Sequence, residues 1–200
     1  MPVDVDLADD PERVDTGPRS PGDRDPARLS RLSVLQSRLM NANRVRAAQL
    51  ADATILSTMM IEVYAEAKFP LGREAAQRSF EDLIKSPERG CVWILESDAG
   101  VAGFVVLTFM YAMEYGGLRG FVDDFFVRPA FRKQGLGALA LAHVKAHCLA
   151  RGVRALFVQA GPDNGPAQRV YKRAGFKDTG HQLLVQPLAA PIHARTVGTL

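Results

Sequence analysis

The sequence predicts a single α/β domain in which a mixed β-sheet carries helices on both faces. In some segments apolar residues recur at helical spacing, which predicts helices. In others they form short runs bounded by turn residues, which predicts strands. The resulting order, β-α-α-β-β-β-α-β-α-β, interleaves the two kinds of element and is typical of such a sheet. With 200 residues, 47% of them hydrophobic, the chain has enough apolar material for one sizeable core.

Local patterns place each element along the chain. The first predicted helix follows a cap residue at Asp52, and the second follows Pro70. A long helix runs from about Gly135 to Gly152, and a short one covers residues 165–174. The predicted strands cover residues 45–48, 91–96, 101–110, 121–127, 154–160 and 181–186, and a turn at 98–100 makes a hairpin of the second and third.

We expect both ends of the chain to lie outside the folded domain, which we place at residues 44–187. Residues 1–30 contain five of the twelve prolines and no aromatic residue, so they offer little apolar surface to offset the entropy of ordering. Residues 1–40 are therefore predicted to be a disordered, acidic, proline-rich tail. Residues 188–200 are predicted to be a loose C-terminal tail.

The charge distribution favours anionic ligands. Residues 1–30 hold eight acidic and four basic residues, a net of −4, while the whole chain carries +3, so the remainder carries +7. Such a domain attracts nucleic acid or a phosphorylated cofactor. Two cysteines are too few for a disulfide scaffold, and no apolar run approaches the ~20 residues of a membrane span. We expect a cytoplasmic protein without a membrane partner.

The strongest local motif lies between a predicted strand and the long helix. Its two glycines let the backbone approach a ligand and turn amides toward it, and the helix N-terminus adds a positive dipole end. Two basic side chains supply formal charge, so the segment is predicted to hold a pyrophosphate. It lacks the third glycine of the dinucleotide fingerprint, and it lacks the Gly-Lys-Ser/Thr sequence of a Walker loop. The motif consists of Arg132, Lys133, Gln134, Gly135, Leu136, Gly137 and Ala138.

A second motif begins about thirty residues later. Asn164 is placed to cap the following helix, where Pro166 is tolerated in the first turn and Gly175 suits the end. Tyr171 lies two turns along this helix. Taken alone, the segment is explained equally well as a capped surface helix with a packing tyrosine.

The two motifs together resemble the signature motifs of the GNAT superfamily, the acyl-CoA-dependent N-acetyltransferases. They read R-x-x-G-x-G at 132–137 and N-x-x-A-x-x-x-Y-x-x-x-G-F at 164–176. The resemblance covers roughly residues 44–187 and implies a GNAT-type sheet, which is mixed, mostly antiparallel and twisted. The strand at 121–127 most resembles the spermidine/spermine and related diamine acetyltransferases, in which an acid pair precedes two aromatics and a valine.

The resemblance also implies a role for each motif residue. Acetyl-CoA would be the co-substrate, with no metal, and Tyr171 would donate a proton to the leaving thiolate. Asp123 stands where the family has a glutamate that contacts the acceptor amine, and Asp124 is a second acceptor-binding candidate. Backbone groups of Phe125 and Val127 would pair with the pantetheine arm as a strand does. The implied cofactor-binding residues are Phe125, Phe126, Val127, Arg132, Lys133, Gln134, Gly135, Leu136, Gly137, Ala138 and Asn164.

The reaction needs a base, because an amine with a pKa of ~10.4 is almost entirely protonated at neutral pH. A carboxylate, acting directly or through water, suits this task. We predict that acetyl passes from acetyl-CoA to the primary amine of a small molecule (a polyamine, a diamine or an amino-acid-like acceptor) by direct transfer in a ternary complex. The alternatives are a protein lysine or N-terminal acetyltransferase and a non-catalytic acyl-CoA-binding regulatory domain. Whether the protein forms a homodimer stays open.

The acid pair leaves one question of geometry. Asp123 is one methylene shorter than the family's glutamate, which favours a water relay. Regular strand alternation puts Asp123 and Asp124 on opposite faces, whereas a bulge changes which of them faces the acceptor. Asp123 is the favoured acceptor-binding residue and, with Tyr171, the predicted catalytic residue.

Three further patterns are weaker indications of a functional site. His143 and His147 have a metal-ligand spacing but no third ligand, so no metal site is predicted. The basic residues beside the glycine motif lack the interleaved aromatics of a nucleic-acid site, and the cofactor already explains them. The segment 110–115 either borders the acceptor site or packs at a dimer contact.

Overall fold

The computed structural model describes residues 43–66, 72–184, 186 and 188. Within them the helices are α1 (Ala53–Glu66), α2 (Arg73–Ile84), α3 (Leu136–Ala150) and α4 (Gly165–Arg173). The strands are β1 (Asn43–Ala47), β2 (Gly90–Ser97), β3 (Gly100–Ala112), β4 (Gly117–Val127) and β5 (Ala155–Val158). The predicted N-terminal tail, and all of the predicted C-terminal tail except residue 188, lie outside the described residues, so both stay predictions.

The strands of this part of the chain form one sheet in the order β1-β2-β3-β4-β5. The first four strands pair antiparallel, and β5 joins β4 in parallel. The helices pack on both faces of this sheet. A mixed, mostly antiparallel sheet between helices confirms the predicted fold class.

Two apolar cores, one on each face of the sheet, hold the layers together. The first core joins α1 and α2 to inward side chains that include Val92, Ile94 and Phe104. The second joins α3 to the opposite face, including Trp93 and Leu95. Because β2 is covered on both faces, its run of consecutive apolar residues suits a central strand better than an alternating pattern would.

An ion-pair network fixes the start of α1 against the sheet edge. Arg46 on β1 donates to both oxygens of Asp52, at 2.7 and 2.9 Å, and to Glu96 on β2 at 2.8 Å. The Asp52 carboxylate also accepts a hydrogen bond from the Gln49 backbone N–H at 2.8 Å. The Asp52 carboxylate therefore caps the 3-10 turn at Leu50–Asp52 that precedes α1, whereas the sequence predicts it as the cap of the helix itself.

The largest differences between the structure and the predicted elements lie at two places. β4 begins at Gly117, four residues earlier than predicted, because it continues the pairing with β3 to the end of the hairpin. The predicted strand at 181–186 is wrong for residues 181–184 and 186, which have no regular structure. Leu183 and Leu184 are 61% and 86% exposed, so neither has the buried face that a strand on the sheet would have. None of the described helices is long and apolar enough to cross a membrane.

Candidate active site

The parallel strands β4 and β5 separate halfway along β4. Their ladder joins residues 119–122 to 155–158 and ends at Val122, whereas β4 continues on β3 to Val127. The Arg128 N–H donates to Ala102 on β3 at 2.9 Å, so strand alternation turns the backbone groups of Phe125 and Val127 away from β3. Residues 123–127 therefore present one edge that no described strand pairs with, and an extended ligand arm fits there.

A β-bulge lies at Asp123 and Asp124. On β3 one residue separates Val105 from Leu107, whereas two residues separate their partners, Phe125 and Val122, on β4. The extra residue breaks the regular alternation, and Val122 and Phe125 consequently pack toward the same core. The regular alternation that would put the two aspartates on opposite faces therefore does not hold here, and both carboxylates interact electrostatically with the Tyr64 phenol of α1.

Tyr64, Asp123 and Asp124 form what we call the bulge cluster, and burial shifts all three of its pKa values. Burial, followed by repulsion from Asp123, raises the pKa of Asp124 to about 6. Burial also raises the pKa of Asp123, the more exposed acid of the pair. Burial and then the two carboxylates raise the pKa of Tyr64 to about 12. At neutral pH the cluster therefore combines an ionised but readily protonated carboxylate with a neutral phenol.

Tyr64 is the member that sequence analysis missed. It follows the apolar stripe of the first predicted helix and carries no motif. Only the packing of α1 against β4 brings its phenol to the acids, so no spacing rule along the chain identifies it.

The glycine motif forms a tight turn into α3. Gly135 has φ +84°, and an added methyl group there would meet nothing within 4 Å, so the residue is needed for its backbone conformation alone. Lys133 adopts φ +64°, a left-handed conformation that is uncommon for a residue with a side chain. The turn is tied to β1, since the Asn43 side chain donates to the Gln134 carbonyl at 2.9 Å.

The N-terminus of α3 fits a pyrophosphate. Its cap residue is a glycine, which offers no side-chain acceptor to the amides of Leu136, Gly137 and Ala138. A methyl group at Gly137 would meet Phe125 at 3.7 Å and Val170 at 3.6 Å, so the turn lies beside both the free edge of β4 and helix α4. Arg132 donates from Nε to the Val127 carbonyl at 2.8 Å, at the end of that edge.

The second motif forms helix α4 as predicted. The Asn164 side chain accepts a hydrogen bond from the Ala167 N–H at 3.2 Å, which confirms its capping role. The Tyr171 ring packs 6.4 Å from Phe125 and 5.8 Å from Phe176, measured between centroids. Burial raises the pKa of Tyr171, so its phenol stays protonated at neutral pH.

Phe126, a predicted cofactor-binding residue, and the nearby Arg128 have side chains directed elsewhere. Phe126 is buried in the first core with Phe104, so it offers the cofactor no side chain. Arg128, a member of the basic cluster near the glycine motif, pairs with Glu62 on α1. Sequence spacing groups Arg128 with Arg132 and Lys133, whereas the pairing gives it a separate structural task.

The histidines of α3 pack against aromatic residues. His147 lies 3.4 Å from the Cys91 thiol, and its ring approaches Trp93 and Phe109. Burial raises the pKa of Cys91 and lowers that of His147, which disfavours a thiolate-imidazolium pair. Among the residues that the structure describes, no group of three or more potential ligands is placed to hold a metal ion.

Comparison with known proteins gives a family match over most of the domain. The family model described as acetyltransferase (GNAT) family matches residues 57–176. Among solved structures, integron cassette protein HFX_CASS3, from the mobile metagenome of Cole Harbour Salt Marsh, is 46% identical to this chain. The match covers 80% of this chain and 97% of that one, with a TM-score of 0.70. No match was found among the curated proteins.

Two more distant structures share the fold. The aminoglycoside N-acetyltransferase AAC(6')-Iy, solved with CoA, is 17% identical over 74% of this chain and 95% of its own, with a TM-score of 0.64. The ribosomal-protein-alanine N-acetyltransferase of Brucella melitensis biovar Abortus 2308 is 17% identical over 72% of this chain and 99% of its own, with a TM-score of 0.61. One acts on a small molecule and the other on a protein, so the likeness does not select an acceptor. The closeness of β4 to the diamine acetyltransferases stays a prediction.

Proposed function

The chain belongs to the GNAT acetyltransferase family, and from this premise we propose that it transfers acetyl from acetyl-CoA to the primary amine of a small molecule. The bulge cluster is the observation that carries the proposal. Two carboxylates beside one phenol attract an ammonium group, and they lie at the point where the free edge of β4 begins. An acceptor bound there would meet an extended cofactor arm lying on that edge.

The two acids have different environments, which suggests different tasks. Asp123 is exposed and suits the first contact with the incoming ammonium. Asp124 is more buried, and its pKa of about 6 makes it a base that is ionised at neutral pH yet accepts a proton readily. We therefore assign acceptor binding to the pair, and we assign proton removal, directly or through a water, to Asp124 in place of Asp123, the residue that the sequence favours.

The remaining predicted residues complete a direct transfer. The amine nitrogen forms a bond to the thioester carbon, and the bond from that carbon to sulfur breaks. The amine's proton passes to Asp124, and the departing sulfur takes a proton from Tyr171, which burial keeps protonated. The amides at the start of α3, with Arg132, hold the pyrophosphate, while the backbone of Phe125 and Val127 aligns the arm.

Release of free thiol from acetyl-CoA tests the proposal when two acceptor sets are compared. One set contains polyamines, diamines, diamino acids and aminoglycosides, and the other contains lysine-containing peptides and peptides with free N-termini. We expect turnover with members of the first set. Turnover with peptides alone would make the protein an acetyltransferase of proteins. Tight acetyl-CoA binding without any turnover would indicate a regulatory domain, and an acetylated enzyme trapped by mass spectrometry would overturn direct transfer.

A further inference from the structure

We propose that the acceptor carries an acidic group in addition to its amine, and that Arg119 binds this group. The inference rests on the proposed function and narrows its substrate class. Arg119 lies on β4 four residues before Asp123, so one strand carries a cationic and an anionic binding position.

Register places Arg119 on the face of the sheet that α1 and α2 cover. Arg119 pairs with Met110 on β3, and Phe121 pairs with Thr108. Residues directly opposite on adjacent strands share a face, and alternation along β3 links Met110 and Thr108 to Val106. Val106 is buried in the core beneath α1 and α2. The bulge cluster, which includes a residue of α1, is on this face as well.

The two helices cover only part of this face. Their core contacts are with β2, β3 and Phe126, whereas the side chains of Thr108, Phe121 and Phe157 are half-buried and Met110 is 44% exposed. We call the surface formed by Thr108, Met110, Arg119, Phe121 and Phe157 the open shelf. It begins beside the bulge cluster and extends along β4 toward Arg119, which is the direction that we assign to a bound acceptor.

Arg119 lies on this shelf without a carboxylate partner among the described residues. Its guanidinium carbon is 4.8 Å from the Phe157 ring centroid, and its Nη2 is 2.7 Å from the Met110 sulfur, a weak acceptor. Its Nε is buried and has no hydrogen-bond partner within the part of the chain that the structure describes. Arg46 and Arg128, by contrast, each bind a carboxylate with two nitrogens. A carboxylate or phosphate brought by the acceptor would satisfy the unbonded N–H of Arg119.

Strand geometry sets the separation of the two groups on the acceptor. Four residues of strand span about 13 Å, and a side chain at each end can extend toward the other, so the groups on the acceptor are on the order of 10 Å apart. This separation suits an amino acid that reacts through a distant side-chain amine, or a short peptide that reacts through its N-terminus. A diamine of similar length would bring a second ammonium toward Arg119, which repels it. The geometry thus favours the amino-acid-like class over the polyamines.

Matched acceptors test the inference on the unaltered protein. Lysine differs from 1,5-diaminopentane by one carboxylate, and 6-aminohexanoate differs from pentylamine in the same way. We expect kcat/KM to be at least about tenfold higher for each acid-bearing member, as an added charge-assisted contact predicts. Triglycine and its C-terminal amide form a third pair, which distinguishes a peptide acceptor from a free amino acid.

A variant connects the preference to Arg119. In Arg119→Gln the ratio of kcat/KM within each pair should fall toward one. The matched control is Arg151→Gln, since Arg151 also lies over an aromatic ring, at 4.6 Å from Phe109, and contacts the second core instead of the open shelf. The control should keep the ratio, and unchanged acetyl-CoA binding should verify that both variants are folded.

The outcomes separate the inference from the proposed function. Equal turnover within the matched pairs would contradict the proposal that the acceptor carries an acidic group, while the proposed small-molecule acetyltransferase activity would stand. A ratio that survives in Arg119→Gln would overturn the role of Arg119. The absence of turnover with every amine would overturn both proposals together.

Discussion

The Arg128 guanidinium binds the Glu62 carboxylate through two hydrogen bonds, from Nε at 2.9 Å and from Nη2 at 2.8 Å. Its remaining nitrogen, Nη1, donates to the Val101 carbonyl at 3.1 Å. Arg128 is the first residue after β4, and Glu62 lies two residues before Tyr64 on α1. The pair therefore joins α1, the helix that carries Tyr64, to the strand that carries the two acids.

Glu62→Gln should weaken acceptor binding without affecting the cofactor. The change leaves a half-buried Arg128 with a neutral partner and loosens α1 above the bulge cluster. Because Glu62 is 37% exposed, we expect a loss of only about 1 kcal/mol in the free energy of unfolding. The KM for the acceptor should rise several-fold, while the Kd for acetyl-CoA, measured by calorimetry, should stay constant.

The matched control is Glu74→Gln on α2. Glu74 and Arg78 form an exposed pair at 3.8 Å that contacts neither acid of β4. This variant should retain both the Tm and the acceptor KM of the parent. If Glu62→Gln behaves like the control, α1 is not positioned by this pair.

Variants of the two aspartates should differ in their pH–rate profiles. The kcat/KM of the parent should fall below about pH 6, where Asp124 becomes protonated. Asp124→Asn should remove this limb and lower the rate by about 10²-fold or more. Asp123→Asn should keep the limb but move it to lower pH, because it removes the neighbouring charge that raises the pKa of Asp124. A limb that disappears in Asp123→Asn instead would make Asp123 the base.

The raised pKa of Asp124 also predicts a gain in stability on neutralisation. Between about pH 4 and pH 6 the folded state keeps a proton that the unfolded state has released, so the free energy of unfolding falls as the pH rises through this window. Asp124→Asn has no carboxyl group to ionise here, so its free energy of unfolding does not fall in this way. After allowance for solvent screening we expect it to be more stable by about 1 kcal/mol above pH 6 and equal to the parent near pH 4.

Thermal unfolding at a series of pH values measures this difference. The control is Asp98→Asn, in the exposed turn between β2 and β3. Its Tm should follow that of the parent at every pH. A Tm of Asp124→Asn that equals the parent's at pH 8 would mean that the ionised carboxylate is not penalised by burial.

Much of the fold follows from local pattern, because each helix and the central strands carry their own signal. The apolar residues of α1 and α2 recur on one face, and β2 is apolar throughout because both of its faces are covered. The segment at 181–186 is the exception. Its pair of leucines is typical of a strand, but a strand also needs a neighbour, and a short apolar run does not specify one.

Only part of the site could be predicted from the sequence, because some of its features depend on local residue types and others on how distant elements pack. The turn at 132–138 and the cap at Asn164 depend on local backbone chemistry, which residue types reveal. The bulge at Asp123 and Asp124 depends on how many residues β3 places opposite them, which the sequence of β4 does not contain. Tyr64 and Arg119 acquire their surroundings only when α1 packs on the sheet and β4 pairs with β3.

The two glycines of the cofactor turn should respond differently to alanine. Gly135 has φ +84°, so Gly135→Ala adds strain of about 1 kcal/mol or more and tilts the amides of the turn. Gly137 is helical, and an added methyl group would make ordinary contacts at 3.6 and 3.7 Å, so Gly137→Ala should keep or raise the Tm.

Acetyl-CoA titration then reports on the turn itself. Gly135→Ala should lose at least about tenfold in affinity along with its Tm. Gly137→Ala should lose affinity at an unchanged or higher Tm if the pyrophosphate lies against that backbone. Full affinity in both variants would contradict the assignment of this turn to the cofactor.

Tyr171→Phe should lower turnover while cofactor binding survives. The ring contacts with Phe125 and Phe176 need no hydroxyl, so the variant keeps its packing and its Kd for acetyl-CoA within about twofold. Without the phenolic proton the thiolate leaves unprotonated, and we expect kcat to fall by about 10²-fold. Because burial raises the pKa of Tyr171, the parent should show no alkaline loss of activity from this group below pH 10. Ser79→Ala, which removes an exposed hydroxyl of α2, is the control and should retain full activity. Unchanged turnover in Tyr171→Phe would remove this phenol from the mechanism and leave solvent as the proton source.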